Sequence, residues 1–89
     1  MSITTLVLLI VEDELPLLEA IVIKARGLGF EVVSTRSVSE AIEMLSIVPS
    51  IDAVWVDHFL PDQTGLELVK YMRKSPKWKE TPEIGRAHV

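Results

Sequence analysis

Acidic side chains follow two separate apolar runs in this chain of 89 residues. The run LVLLIV at 6–11 leads directly into Glu12 and Asp13, and the run AVWV at 53–56 ends on Asp57. Carboxylates gathered at one place repel one another. A hard divalent cation such as Mg²⁺, which prefers carboxylate and water oxygens, relieves that repulsion. The three residues are therefore candidate metal ligands, provided that the fold brings the two runs together.

Each acid also has a simpler interpretation when it is taken singly. Asp57 could cap a turn, and Glu12 and Asp13 could place negative charge at a helix N-terminus, where it complements the helix dipole. The simpler interpretation weakens when all three acids are considered together, because both apolar runs end in the same way. The pattern then favours one shared site.

The elements that must position these acids can be predicted from apolar spacing and turn signals. Short continuous apolar runs predict buried parallel strands at 6–11, 30–34 and 53–57. Three helices are predicted between and after these strands. The first covers 14–28, and the second starts at the capping box SVSE of 37–40 and ends at Pro49. The third starts near Thr64 and stops at Ser75 and Pro76. We expect the inward-facing side chains to include Leu18, Ile21, Val22, Ala25 and Leu28 in the first helix and Leu66, Val69 and Met72 in the third.

The order βαβαβα predicts an α/β fold with parallel strands. The carboxyl ends of parallel strands meet at one edge of the sheet, which is where such folds place their chemistry. Glu12, Asp13 and Asp57 should therefore lie together at that edge. Trp78, further along the chain, is predicted to pack a loop against the core rather than to dock a partner.

Composition excludes several classes of function. The net charge of −4 argues against nonspecific nucleic-acid binding by this segment. The chain contains no cysteine, so neither a disulfide nor a thiolate zinc site is available. The longest apolar run is far shorter than the roughly 18 residues that predict a membrane span. We expect no membrane association and a cytoplasmic location.

The acidic pair after the first strand, together with VDHFLPDQTG at 56–65, resembles the receiver domain of two-component response regulators. The resemblance covers 6–82 in register and implies a flavodoxin-like, doubly wound parallel sheet. It implies that Asp57 accepts a phosphoryl group from a histidine kinase or a phosphotransfer protein. It also implies that Mg²⁺ is held by Asp13, Asp57 and the backbone carbonyl of Phe59, with Glu12 acting through water. Such a domain is a switch read by an output domain or downstream partner, and not an enzyme.

The last residues depart from this family. After Pro82 the resemblance implies an apolar fourth strand that ends in Ser or Thr, and a fifth strand that ends in Lys. Residues 83–89 instead read EIGRAHV, which also matches the translation of a sequencing-adapter sequence. We therefore expect 1–82 to be a partial receiver domain and 83–89 to be a non-native tail. The sheet would then contain strands 2-1-3 only, with the third strand at its edge and strands four and five missing.

Two other interpretations stay open. A phosphatase with an aspartyl nucleophile also follows an apolar strand with Asp, although that family has a second Asp where this chain has Phe59. A receiver-like interaction module that is no longer phosphorylated would explain the absence of Ser, Thr and Lys after Pro82. A dinucleotide-binding domain and a P-loop are disfavoured, because EDELP rather than a glycine-rich turn follows the first strand.

Overall fold

A computed structural model describes residues 5–57 and 65–86 of the chain. Within these ranges four strands, β1 (Val7–Val11), β2 (Glu31–Thr35), β3 (Ala53–Asp57) and β4 (Glu83–Arg86), alternate with three helices, α1 (Leu15–Gly27), α2 (Val38–Leu45) and α3 (Gly65–Arg73). The strands are all parallel and lie in the order β2-β1-β3-β4. The predicted parallel α/β fold, with its first three strands in the order 2-1-3, is confirmed.

The core consists of two layers of side chains, one on each face of the sheet. On one face Leu9 and Val11 of β1 pack with α2 and α3, and on the other Leu8 and Ile10 pack with α1. All four side chains are buried. Because β1 is covered on both faces and hydrogen-bonded on both edges, its sequence is continuously apolar rather than alternating. Glu12 and Asp13 therefore follow a strand that is held on both faces and both edges.

Two local signals determine where helices start and stop. The hydroxyl of Ser37 accepts a hydrogen bond of 3.1 Å from the backbone N–H of Glu40, which confirms the predicted cap of α2. Beyond α1 the chain turns at Gly29, whose φ of +97° lies in the left-handed region that side chains disfavour. This turn returns the chain to the sheet as β2.

Two side chains predicted to face inward are exposed. Leu28 lies just past the last residue of α1 and is 69% exposed, because the turn that follows the helix carries it away from the sheet. Leu66 in α3 is 49% exposed, whereas Leu68 is fully buried. The buried face of α3 therefore runs through Leu68 and Met72, and the prediction for Leu66 is wrong by about half a turn of helix.

The prediction that no fourth strand follows β3 is also wrong, because Glu83–Arg86 pairs with β3 as β4. The backbone N–H of Val54 donates a 3.0 Å hydrogen bond to the carbonyl oxygen of Pro82, and Ile84 lies opposite Trp55. Ile84 remains 53% exposed, so side-chain burial contributes little. The open edge of β3 offers backbone groups to any extended segment that reaches it. That residues 83–89 form a non-native tail stays a prediction.

The two faces of the sheet are covered unequally. Helix α1 packs mainly on β1 and β2. It leaves a groove of about 400 Å³ beside β3 and β4. Apart from Lys24, the residues that line this groove are apolar. They are Leu8, Ala20, Ile21, Ala25, Leu28, Phe30, Trp55 and Ile84. We refer to it below as the α1 groove.

Candidate functional site

The carboxyl ends of β1 and β3 bring the three predicted acids together. Val11 is paired with Val56, so the residues that follow them, Glu12 and Asp57, are neighbours across the strands. One carboxylate oxygen from each of Glu12, Asp13 and Asp57 lies within 4.8 Å of the other two. Phe59, whose carbonyl is the fourth predicted ligand, lies outside the described residues. We call Glu12, Asp13 and Asp57 the acidic cluster.

Burial differs among the members of the acidic cluster. Glu12 is fully buried and Asp57 is only 2% exposed, whereas Asp13 is half-buried. One oxygen of Glu12, Oε2, accepts a 3.0 Å hydrogen bond from the backbone N–H of Glu14. Burying an ionised carboxylate is costly without compensating contacts. A bound cation would stabilise an arrangement that gathers three carboxylates, two of them buried.

The acidic cluster fits a magnesium ion by its chemistry and spacing. All of its donors are carboxylate oxygens, the ligand type that Mg²⁺ prefers. Around one octahedral Mg²⁺ adjacent oxygens lie about 3 Å apart and opposite oxygens about 4 Å apart, because each Mg–O bond is about 2.1 Å long. The separations within the cluster are at most 4.8 Å, so the oxygens lie within about 2 Å of such an arrangement. Small side-chain adjustments would bring the oxygens to ligand distance, and the half-buried Asp13 leaves an approach from solvent.

The end of β2 contributes contacts to this site that sequence reasoning missed. The backbone N–H of Glu12 donates to the carbonyl oxygen of Thr35 at 3.1 Å, and the buried Thr35 hydroxyl donates to the carbonyl of Ile10 at 3.1 Å. The guanidinium of Arg36 then donates from Nη2 to the carbonyl oxygen of Asp13 at 2.9 Å. Parallel pairing could have suggested these neighbours, because residues that follow β2 must lie beside residues that follow β1.

The described residues contain no helix with the length and apolar character needed to cross a membrane. The longest described helix, α1, has 13 residues.

Comparisons with known proteins agree on one family, although no family model matches the chain. The two-component response regulator ORR5 of rice is 32% identical over 59 residues, which cover 66% of this chain and 44% of the rice protein. This chain thus spans less than half the length of that curated relative.

Solved structures extend the similarity over nearly the whole chain. A CheY-like receiver domain of a response regulator from Methylobacillus flagellatus is 33% identical, with a TM-score of 0.84, and the match covers 92% of this chain and 69% of that one. The chemotaxis response regulator CheY4 of Vibrio cholerae is 26% identical, with a TM-score of 0.87, over 92% of this chain and 68% of that one. Together with the parallel sheet and the acidic cluster, these similarities show that the chain belongs to the receiver domain family of two-component response regulators.

Proposed function

We propose that this receiver domain is a phosphoacceptor module in which Asp57 takes a phosphoryl group from a phosphohistidine. The donor would be a histidine kinase or a phosphotransfer protein, since receivers are signalling modules of two-component systems. The observation that carries the proposal is the position of Asp57, a buried carboxylate at the end of β3 with an oxygen within 4.8 Å of oxygens of two further acids. Because a phosphorelay draws its phosphoryl groups from cytoplasmic ATP, we also propose a cytoplasmic location.

The acidic cluster would hold Mg²⁺ through Asp13 and Asp57, with Glu12 acting through water and the carbonyl of Phe59 as a further ligand. When bound, Mg²⁺ offsets the negative charge of the phosphoryl oxygens that approach the carboxylates. The chain's own contribution is to fix the acceptor. Asp57 is the last residue of a central strand, so its carboxylate is held in place before the donor arrives.

The transfer step forms one bond and breaks one. An oxygen of the Asp57 carboxylate attacks phosphorus, and an O–P bond forms as the P–N bond to the donor histidine breaks. The electron pair of the P–N bond returns to the imidazole nitrogen, which is left as a neutral histidine once proton balance with solvent is restored. The product on this chain is an acyl phosphate at Asp57. Its added charge would bias a conformational equilibrium that an output domain or another partner reads.

Asp57→Asn tests the proposal directly. Asparagine keeps the shape of aspartate but cannot form an acyl phosphate, so phosphate uptake from a small phosphodonor with Mg²⁺ should be lost. Intact-mass spectrometry and hydroxylamine sensitivity measure the uptake. Asp52→Asn is the matched control, because Asp52 lies at the opposite end of β3 and accepts a 2.7 Å hydrogen bond that the amide oxygen can retain.

Each outcome of that experiment distinguishes one interpretation. Stable phosphate on the wild type and on Asp52→Asn, but not on Asp57→Asn, supports the phosphoacceptor. Undiminished uptake by Asp57→Asn contradicts it. Rapid multiple turnover of the donor favours an aspartyl-nucleophile phosphatase. A folded wild type that takes up no phosphate favours an interaction module that is not phosphorylated.

A further inference from the structure

Arg36 makes the outermost of three contacts that tie the end of β2 to the end of β1 and to the turn after it, which carries Glu12 and Asp13. Thr35 supplies the two inner contacts, accepting from the backbone N–H of Glu12 at 3.1 Å and donating to the carbonyl of Ile10 at 3.1 Å. Arg36 supplies the third, from Nη2 to the carbonyl of Asp13 at 2.9 Å. The first two contacts fix the chain up to Glu12. Of the three, only the contact made by Arg36 reaches Asp13.

The backbone of Arg36 is itself fixed on both sides. Thr35, before it, is 2% exposed and closes β2. Ser37, after it, is the N-cap of α2 and accepts a 3.1 Å hydrogen bond from the N–H of Glu40. A side chain that starts between two fixed points loses less freedom when it forms a hydrogen bond than one on a loose loop does. Arg36 is therefore well placed to restrain its partner.

The contact is with the backbone of Asp13 and not with its carboxylate. A guanidinium carries five N–H donors and no acceptor. By using one of them on the carbonyl oxygen, Arg36 restrains the turn after β1 and leaves the acidic oxygens of Asp13 available to a cation. A half-buried acid at the end of a strand would otherwise sample several orientations.

We propose that Arg36 is a positioning residue for metal binding, which holds Asp13 where its carboxylate completes the acidic cluster. This inference rests on the proposed function, in which the cluster takes Mg²⁺. Groups that orient metal ligands from outside commonly change metal affinity by tenfold or more when they are removed. For an exposed arginine we expect a smaller effect, a loss of Mg²⁺ affinity of about three- to tenfold.

Whether Mg²⁺ affinity falls or rises when Arg36 is replaced distinguishes a positioning role from simple charge repulsion. The guanidinium is positive and lies beside the site, so removing it on electrostatic grounds alone would strengthen Mg²⁺ binding. Loss of positioning weakens binding instead. Arg36→Met removes both the charge and the hydrogen bond, and Arg36→Lys keeps the charge and one possible donor.

The test is an Mg²⁺ titration of the whole chain at low protein concentration. Tryptophan fluorescence reports binding, because Trp55 lies two residues before Asp57 on β3. The Mg²⁺-dependent rise in the temperature of unfolding gives a second measure. Arg26→Met is the matched control, since it makes the same charge change in the last turn of α1, an exposed position.

Weaker Mg²⁺ binding in Arg36→Met, partial recovery in Arg36→Lys and no change in Arg26→Met would support the proposal. Unchanged or tighter binding in Arg36→Met would overturn it, even if that variant is less stable, because a purely structural contact lowers stability without changing affinity. If the wild type itself gives no response to Mg²⁺, the proposed function fails and this inference fails with it.

Discussion

At the residue scale, the acidic cluster brings three carboxylates close together in the folded chain. Glu12 and Asp57 are buried acids whose oxygens approach within 4.8 Å of each other and of Asp13. Without a cation, like charges at that distance in a partly dry environment cost free energy. Sites of this kind lower the stability of the unliganded protein, and substitutions that remove the conflict often raise it.

Asp57→Asn should therefore stabilise the chain in the absence of Mg²⁺. Removing one of three crowded charges while keeping the shape should raise the free energy of unfolding by about 1 to 2 kcal/mol. Urea denaturation in the presence of a chelator measures the change. Glu43→Gln, which neutralises an exposed acid of α2, should leave stability nearly unchanged. A less stable Asp57→Asn would mean that local contacts already offset the charge.

Asp13→Ala should weaken Mg²⁺ binding by at least about tenfold, because it removes one of the carboxylates that would ligate the ion. Tryptophan fluorescence during a titration measures the affinity. Glu14→Gln serves as the control, since Glu14 is the next acid along the chain, is exposed and lies outside the acidic cluster. An identical response in the wild type and in Asp13→Ala would exclude Asp13 from the site.

At the scale of elements, side chains that donate hydrogen bonds to backbone carbonyls hold the connection from α3 to β4 in place. Arg73, at the end of α3, donates from Nη1 to the carbonyls of Trp78 at 3.4 Å and Lys79 at 3.0 Å. Lys77 donates to the carbonyl of Val48 at 3.1 Å and lies 4.6 Å from the centre of the Trp78 ring. Trp78 is 5% exposed, which confirms that it packs this loop onto the core.

Arg73→Met should lower the free energy of unfolding by about 1 kcal/mol, since it removes the hydrogen bonds that hold the loop carbonyls. Lys74→Met is the matched control, because it makes a similar change at the next residue, which is exposed and follows the helix. Urea denaturation compares the two variants. Equal effects would show that the loss comes from charge and not from the loop contacts.

The first three strands and the meeting of the three acids could be predicted from the sequence, because both follow from short apolar runs that end in acids. The apolar run before Asp57 defines β3 by itself, and parallel pairing then brings Glu12 beside it. The strand β4 could not be predicted in this way, since Ile84 stays half exposed and the observed link of β4 to the sheet is its backbone pairing with β3. The contact of Arg36 with Asp13 depends on the register of β2 against β1, which apolar spacing does not encode.

At the scale of the whole molecule, the α1 groove lies beside β4, which is the edge strand of the sheet among the described residues. The groove is apolar, and Ile84 of β4 is one of its lining residues. Exposed apolar surface beside an open strand edge is a common cause of association between chains.

We expect sedimentation velocity to show association that increases with protein concentration, and we expect Ile84→Lys to reduce it. Lysine introduces a charge into the apolar lining without removing a buried contact. Ile47→Lys is the control, because Ile47 is 73% exposed and lies outside the groove. A wild-type chain that sediments as a monomer at every concentration would contradict this expectation.

The central position of β1 also has a consequence for folding during synthesis. This strand pairs with β2, which ends at Thr35, and with β3, which ends at Asp57. A ribosome adds about 5 to 20 residues per second. The strand made first therefore waits several seconds for its second partner, and throughout that interval at least one edge of the apolar segment VLLIV lacks its final neighbour. Glu12 is costly to bury in the finished molecule, but charged residues that flank an apolar strand disfavour pairing with the wrong chain, so we expect Glu12 and Asp13 to protect that segment during synthesis.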